Sequence, residues 1–304
     1  MTVMTSIIHV LLALSLSPLL IGVINRVKAL FAGRHGQPLL QPYHDLIKLL
    51  KKGVVYSSTT TWAFRLGPVA GLAAVLVALL IIPFGGAGGL FSFAGDFVFM
   101  AYLLGLTRFV TVIAAMDTGS AFEGMGASRE VQFAIIAEIV LLLGLAILAM
   151  GTGEIRLAGI FAKLWNDASS LLGPGAFLVA FSFFIVLLTE NARIPVDDPN
   201  THLELTMIHE VMVLDHGGVD LAFIQYGAAL KLWLFSALVA GLAIPFRTGV
   251  AWFDMAVGTA VVFAVAVGVG VIESGMARLR LSHVPHLLIT ALAVTVAALL
   301  WILR

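Results

Sequence analysis

Three ionisable side chains stand inside long apolar runs of this sequence: Arg108, Glu138 and Lys231. A charge at the centre of a bilayer costs at least about 2.5–3.5 kcal/mol on insertion scales, so each demands a partner or a task. On helices rising about 1.5 Å per residue, Arg108 falls roughly 13 Å, Glu138 about 12 Å and Lys231 about 15 Å below the same edge. Two cations and one anion at one depth, on three helices, have a chemistry. A carboxylate between an arginine and a lysine stays ionised in low dielectric, and a buried lysine beside it can exchange a proton. The expectation is a polar path with Glu138 between Arg108 and Lys231. The plain alternative is a buried ion-pair group that only fixes helix packing.

A second acidic set lies where apolar runs end: Glu130, Glu190 and Glu273, with Asp117 and Glu123 on a connecting loop. Glu130 and Glu138 recur on one helical face and read as a ladder leading inward. Neighbouring carboxylates raise one another's pKa and hold protons near neutral pH, which suits a proton entry funnel. Each alone reads equally as a solvated acid.

Segment 191–220 carries Arg193, Asp197, His202, Glu204, His209, Glu210, Asp215 and His216. After its Pro-Asp turn, Asn200 or Thr201 is a suitable N-cap, which predicts a helix to about Asp215 ending at Gly217 or Gly218. His202, His209 and His216 would share one face, about 10.5 Å apart along the axis, too far for two of them to hold one ion. His209-Glu210 lacks the second histidine of a zincin motif, so no metal is expected. Proton relay, partner contact or a solvated face remain. No nucleophile triad or nucleotide fingerprint is present, and the glycine-rich stretch 85–89 is a turn without the strand that a dinucleotide site requires. With no cysteine, the chain holds no disulfide and no thiolate-ligated cluster, so any electrons must move on another subunit.

These residues are carried by an unusual chain. Of 304 residues 61% are hydrophobic and 11% charged, whereas an ordinary soluble domain is about 25% charged, so a soluble fold is excluded. The 17 basic residues balance 17 acidic ones, which gives no footprint for nucleic acid. Eight runs reach the roughly 20 residues needed to span a bilayer: 4–24, 68–84, 96–116, 130–151, 172–190, 221–246, 252–273 and 285–303. The fold class is therefore an all-α polytopic membrane protein, a single membrane domain over 1–304 with two long loops, 25–67 and 191–220. Arg26, Lys28, Arg34, Lys48, Lys51, Lys52, Arg65, Arg129, Arg193, Arg278 and Arg280 fall on one face, against Arg156, Lys163, Arg247 and Arg304 on the other. By the positive-inside rule the first face is cytoplasmic and both termini lie outside. In loop 25–67, Pro42 can start a short helix whose Tyr43, Leu46, Ile47 and Leu50 form one apolar face against His44, Asp45, Lys48, Lys51 and Lys52. Such a helix lies on the membrane or under a docked partner. No internal repeat is visible, which weighs against a transporter of inverted halves.

Several segments carry a family likeness: Leu39-Leu-Gln41 with Asp45-Leu-Ile-Lys-Leu-Leu50, Arg108-Phe109, Asp117-Thr-Gly-Ser120, Gly126-Ala-Ser-Arg-Glu130, Glu138, Leu230-Lys231, Glu273 and Met276-Ala-Arg-Leu-Arg-Leu281. Over nearly its whole length the chain resembles the complex I subunit 1 family, and most closely the branch that anchors membrane-bound [NiFe] hydrogenases of the formate hydrogenlyase and hydrogenase-4 type. The resemblance implies an eight-helix subunit in a prokaryotic inner membrane, at the heel of an L-shaped redox complex. Its implied partners are a hydrogenase-like large subunit, an iron–sulfur small subunit and antiporter-like membrane subunits. Iron–sulfur clusters and a [NiFe] centre would belong to those partners, and this chain would carry no cofactor. Relatives that reduce quinone line the quinone chamber with this subunit. Here Asn200 and His202 replace expected acids, Asp197 and Glu204 are the clear counterparts, and Arg34-His-Gly-Gln-Pro38 departs from an Arg-Arg-Gly-Pro type sequence. Both departures fall on the partner-facing surface and weigh against a standard hydrogenase module as well as a quinone-reducing one, most of all against a quinone chamber. The functional expectation is a non-catalytic anchor that couples electron transfer to proton or sodium movement. A quinone-chamber subunit of a complex I-like dehydrogenase and a stand-alone ion transporter are the alternatives.

Overall fold

The computed structural model describes residues 2–166, 172–198, 207–243 and 247–303. Among them are ten α-helices: α1 Thr2–Phe31, α2 Gln41–Leu50, α3 Trp62–Leu79, α4 Asp96–Asp117, α5 Ala121–Thr152, α6 Leu157–Asn166, α7 Leu172–Glu190, α8 Gly218–Ala243, α9 Ala251–Gly275 and α10 Val284–Ile302. Eight are long and apolar enough to cross a membrane, and α2 and α6 are the short exceptions. With no water in a bilayer core, helices are the form in which such apolar runs satisfy their own backbone. Pro18 and Pro68 sit within α1 and α3 without ending them.

The helices pack around α8, whose most apolar window is 78% buried against 22% for α10. Helix α8 contacts α1, α3, α7 and α9, while α5 and α10 close around α7. A glycine sets one of the close approaches. A Cβ on Gly270 of α9 would stand 2.8 Å from Cβ of Val27 on α1, and small residues at such crossings are how membrane helices come close.

Several helix boundaries differ from the hydropathy reading: α1 runs on to Phe31 where 24 was expected, and α3 covers Trp62–Leu79 where 68–84 was expected. Helix α5 begins at Ala121, so Glu130 lies in its third turn and not at its start. The polar stretch before Glu130 stays helical because hydropathy marks the bilayer, whereas hydrogen bonding continues beyond it. Helix α6 is not among the expected spans, because its 10 residues are too few to cross a bilayer. Asp96, fully buried, accepts the Leu157 N–H at 2.7 Å and secures its first turn.

The fold's consequence for function is a recess. Glu190, the last residue of α7, lies 3.6 Å from Lys231 of α8, which is 13 residues beyond Gly218 where α8 begins. At about 1.5 Å per residue, α8 rises roughly 20 Å past the end of its neighbour. Residues 191–198 and 207–217 fold into the space this leaves among α4, α5, α8 and α9.

Candidate functional site

The floor of the recess is a continuous chain of charges on four helices. Arg108 of α4 donates from Nη2 to Glu138 Oε2 of α5 at 2.8 Å and from Nη1 to Glu190 Oε1 of α7 at 2.7 Å. Glu190 Oε2 in turn faces Lys231 Nζ at 3.6 Å. The carboxylate between the two cations is therefore Glu190, not Glu138 as the depth argument expected. Sequence depth counted residues from the cytoplasmic end of each helix, and it could not show that α7 ends deep inside the protein. Glu190 consequently leaves the acidic rim: its side chain is 6% exposed, whereas that of Glu138 is 32% exposed.

Above this floor sits His209. Its Nε2 is 3.1 Å from Glu130 Oε2 and its Nδ1 is 3.5 Å from Asp197 Oδ2. Burial disfavours the imidazolium, but Glu130 and then Asp197 outweigh it and hold the ring above its ordinary pKa, against an opposing contribution from Lys231. His209 thus lies within electrostatic reach of the lysine on the floor. Asp197 is itself a hub. Its Oδ2 accepts the N–H groups of Ile208 and His209 at 3.1 and 3.0 Å, and its Oδ1 faces Arg278 Nη2 at 2.9 Å. Burial raises its pKa, and the hydrogen bonds and charges of His209 with Arg278 overcome this and hold it low.

The expected helix from Asn200 or Thr201 to Asp215 does not form over its described part. Residues 207–209 are non-helical, a short 3-10 turn covers Glu210–Val213, and α8 starts at Gly218. The reason lies in Asp197: by accepting the N–H groups of Ile208 and His209 it takes donors that an α-helix would use for its own carbonyls. Ile208, Val211 and Met212 are buried, and a Cβ on Gly126 of α5 would stand only 2.3 Å from Val211 Cγ1. The histidines accordingly part company. His209 turns to the acids, and His216 stacks on Phe64 at 3.9 Å with burial pushing its pKa down against Asp220 and Asp215. His202 and Glu204 lie outside the described residues.

A second ion group closes one wall. Glu273 of α9, whose side chain is 0% exposed, pairs with Lys28 of α1 at 2.9 Å and with Arg193 at 3.6 Å. Burial pushes the Arg193 guanidinium below its ordinary pKa, and Glu273 offsets part of that. The Leu279 N–H donates to Pro195 O at 2.9 Å, joining the turn after α7 to the link after α9. Sequence reasoning did not place Lys28 or Arg193 in the site. For Arg193, a cation directly following a span that ends in the acid Glu190 was the available signal.

The other expected residues are distributed around the recess. Arg129 donates to Met207 O at 2.8 Å and holds the segment to α5. Buried Glu123 accepts the Thr118 hydroxyl and, at 3.2 Å, the Asp215 N–H. Asp117 Oδ2 accepts the N–H groups of Thr61 and Phe64 at 2.6 and 3.3 Å, so it caps α3. Arg34, Asp45, Glu210, Asp215 and Arg280 are exposed at this end of the bundle, and Asp45 accepts from Gln41 Nε2 at 2.8 Å. Helix α2 starts at Gln41 beside Pro42 and buries none of its residues, leaving Ile47 and Leu50 each 51% exposed. Chemically, the assembly offers acids and bases in series from an exposed surface to a buried floor, with opposite charges facing one another except where His209 meets the field of Lys231. Proton movement along such a series needs small shifts of carboxylate and ammonium.

The model of the NADH dehydrogenase family matches residues 3–303. Among curated relatives, hydrogenase-4 component C of Escherichia coli (strain K12) is 30% identical over 295 residues, covering 95% of this chain and 91% of that protein. Formate hydrogenlyase subunit 4 of the same organism is 29% identical over 299 residues, covering 94% of each. A subunit of the NADH-quinone oxidoreductase of Syntrophotalea carbinolica is 26% identical over 230 residues, covering 71% of this chain and 68% of that protein. In fold, a chain of the membrane-bound sulfane sulfur reductase, an archaeal respiratory membrane complex, superposes with a TM-score of 0.79 at 20% identity, covering 97% of this chain and 98% of its own. Matched from end to end by the family model and over almost its full length by these relatives, this multi-pass membrane protein belongs to the NADH dehydrogenase family, among its complex I subunit 1-like members.

Proposed function

We propose that the chain is the non-catalytic membrane subunit of a respiratory redox complex in a prokaryotic inner membrane. It seats a hydrophilic hydrogenase-like module, a large subunit with an iron–sulfur small subunit, on the face bearing α2 and segment 191–217, with both termini on the opposite side. Through Glu130, His209, Lys231, Glu190, Arg108 and Glu138 it couples electron transfer on that module to proton movement.

One observation carries this reading. The charge series begins at the surface where Arg278, Glu210 and Arg280 stand, and it ends at a Glu138 side chain 32% exposed on the flank of an apolar helix. A carboxylate so exposed would meet hydrocarbon, at a cost of several kcal/mol, unless a neighbouring subunit covers it. An antiporter-like membrane partner at α4 and α5 would take over the proton there. The resemblance to hydrogenase-4 component C and formate hydrogenlyase subunit 4 supports a hydrogenase-type module above the recess.

The test is purification in mild detergent followed by reconstitution in proteoliposomes. Copurification of a cluster-bearing protein and a large subunit with nickel-ligating cysteines is expected. Dye reduction should proceed in Glu138→Gln with proton uptake lost. A lone 32.2 kDa chain that moves ions by itself would sink the proposal, as would full pumping by Glu138→Gln.

A further inference from the structure

At the end of the bundle opposite the recess, a cavity of about 270 Å³ opens among residues that include Thr5, Gly86, Trp165, Arg247, Gly249 and Asp254. That is close to the lower end of ligand pockets, about 300 Å³, a size for a headgroup. The cavity contains one cation and one anion held apart. The Arg247 guanidinium lies over Trp165, its Cζ 3.7 Å from the ring centroid, and the Trp165 N–H is fixed by Gly241 O at 3.0 Å. The buried Nε of Arg247 has no hydrogen-bond partner among the described residues. Asp254, in the first turn of α9, commits Oδ1 to the Thr248 N–H and hydroxyl at 2.9 and 2.7 Å. Its Oδ2 faces Gly86, where an added Cβ would stand 3.5 Å from that oxygen and 3.6 Å from Arg247 Cδ. A glycine there leaves the floor between the two charges open.

Charges of opposite sign that share a cavity without pairing fit a ligand carrying both signs in reverse. The geometry points to a headgroup site for phosphatidylethanolamine, with the phosphate on Arg247 and the primary ammonium on Asp254. The surroundings favour a lipid as the source of that chemistry. Trp252 and Phe253, each 55% exposed, flank the site at the start of α9, and exposed aromatics mark the level of lipid headgroups. A seam lined by Ala237, Ala240, Gly241, Val257, Gly258 and Val261 meets the cavity at Arg247 and Trp165; at about 10 Å³ it admits no part of a ligand and only gives the cavity one apolar wall. Phosphatidylcholine offers no N–H to Asp254, and phosphatidylglycerol brings no cation.

The experiment is native mass spectrometry of the intact detergent-purified complex after equilibration with equimolar phosphatidylethanolamine, phosphatidylcholine and phosphatidylglycerol. Wild type should retain phosphatidylethanolamine preferentially, and Arg247→Gln should lower retention about tenfold, the scale of one charge-assisted hydrogen bond. Arg247→Lys should keep most of it, and Asp254→Asn should shift the preference toward phosphatidylglycerol. The mass of the assembled complex in the same spectra reports that each variant folds. Equal retention of the three lipids by wild type would overturn the assignment, as would unchanged retention in both Arg247→Gln and Asp254→Asn. So would an inorganic phosphate adduct without lipid, or a photocrosslinker at Ala162, which also lines the cavity, that captures a subunit polypeptide in place of lipid.

Discussion

Glu190 and Lys231 meet at 3.6 Å although one ends its helix and the other lies in the middle of its own. This meeting places the end of α7 at the floor of a recess, and it makes Glu190 the carboxylate shared by two buried cations.

Glu190→Gln and Glu138→Gln should therefore behave differently. Removing the Glu190 charge leaves Arg108 and Lys231 without their common anion, and breaking a buried pair costs about 3–5 kcal/mol. Thermal unfolding of the purified complex should show a clear loss for Glu190→Gln. Glu138→Gln leaves Arg108 still paired with Glu190, so it should cost less stability than Glu190→Gln while abolishing proton uptake in proteoliposomes.

The recess segment should open with rising pH. His209 has a raised pKa in the fold, so its charged ring stabilises the folded state fully below the ordinary value of 6.5, and this contribution is lost as pH climbs through the higher folded value. Asp197 runs the other way: its folded pKa lies below the ordinary 3.8, so its contribution is present above 3.8 and disappears as pH falls through the folded value. Protection factors of residues 207–217, exchange rates corrected for the intrinsic base-catalysed rate, should fall in wild type as pH rises through the folded pKa of His209. His209→Gln should remove that alkaline dependence, and an unchanged profile in the variant would reject His209 as its source.

Two glycines of α5 separate packing from helix propensity. Gly126→Ala would set a Cβ 2.3 Å from Val211 Cγ1 and 2.9 Å from Ile208 O, whereas Gly124→Ala meets nothing within 4 Å. The first should destabilise by about 1–3 kcal/mol through overpacking and expose segment 207–217 to protease. The second should stabilise by about 0.5–1 kcal/mol. Denaturation midpoints of the two variants in one detergent give the comparison.

Glu273 should act as a clasp. Glu273→Gln leaves Lys28 and Arg193 without their anion, and Lys28→Met should recover part of the loss because it removes one of the stranded cations. A double-mutant cycle on thermal stability measures the coupling, and additive losses would show that the pair does not interact.

The spans were legible because their cause is local. Apolar runs of sufficient length must become helices in a bilayer, and all eight are found, with the end of α1, both ends of α3 and the start of α5 misjudged, at α5 because polar residues continue the helix outside the apolar zone. The amphipathic α2 was legible for the same reason, from Pro42 and the spacing of Tyr43, Leu46, Ile47 and Leu50. The family was legible in residues 117–120 and 126–130, and those runs have structural work: Asp117 caps α3, Gly126 admits Val211, Arg129 holds Met207 and Glu130 faces His209.

Which charges belong together was not legible. The sequence by itself determined that this chain is a bundle of membrane helices and that Arg108, Glu138 and Lys231 must be neutralised inside it, since burial of a lone charge is too costly. Only the tertiary structure decided that Glu190 joins them and that His209 leaves a predicted helix for Glu130 and Asp197. Pairing depends on where one helix ends against the length of another and on which backbone donors a distant carboxylate captures, and neither is a property of local sequence.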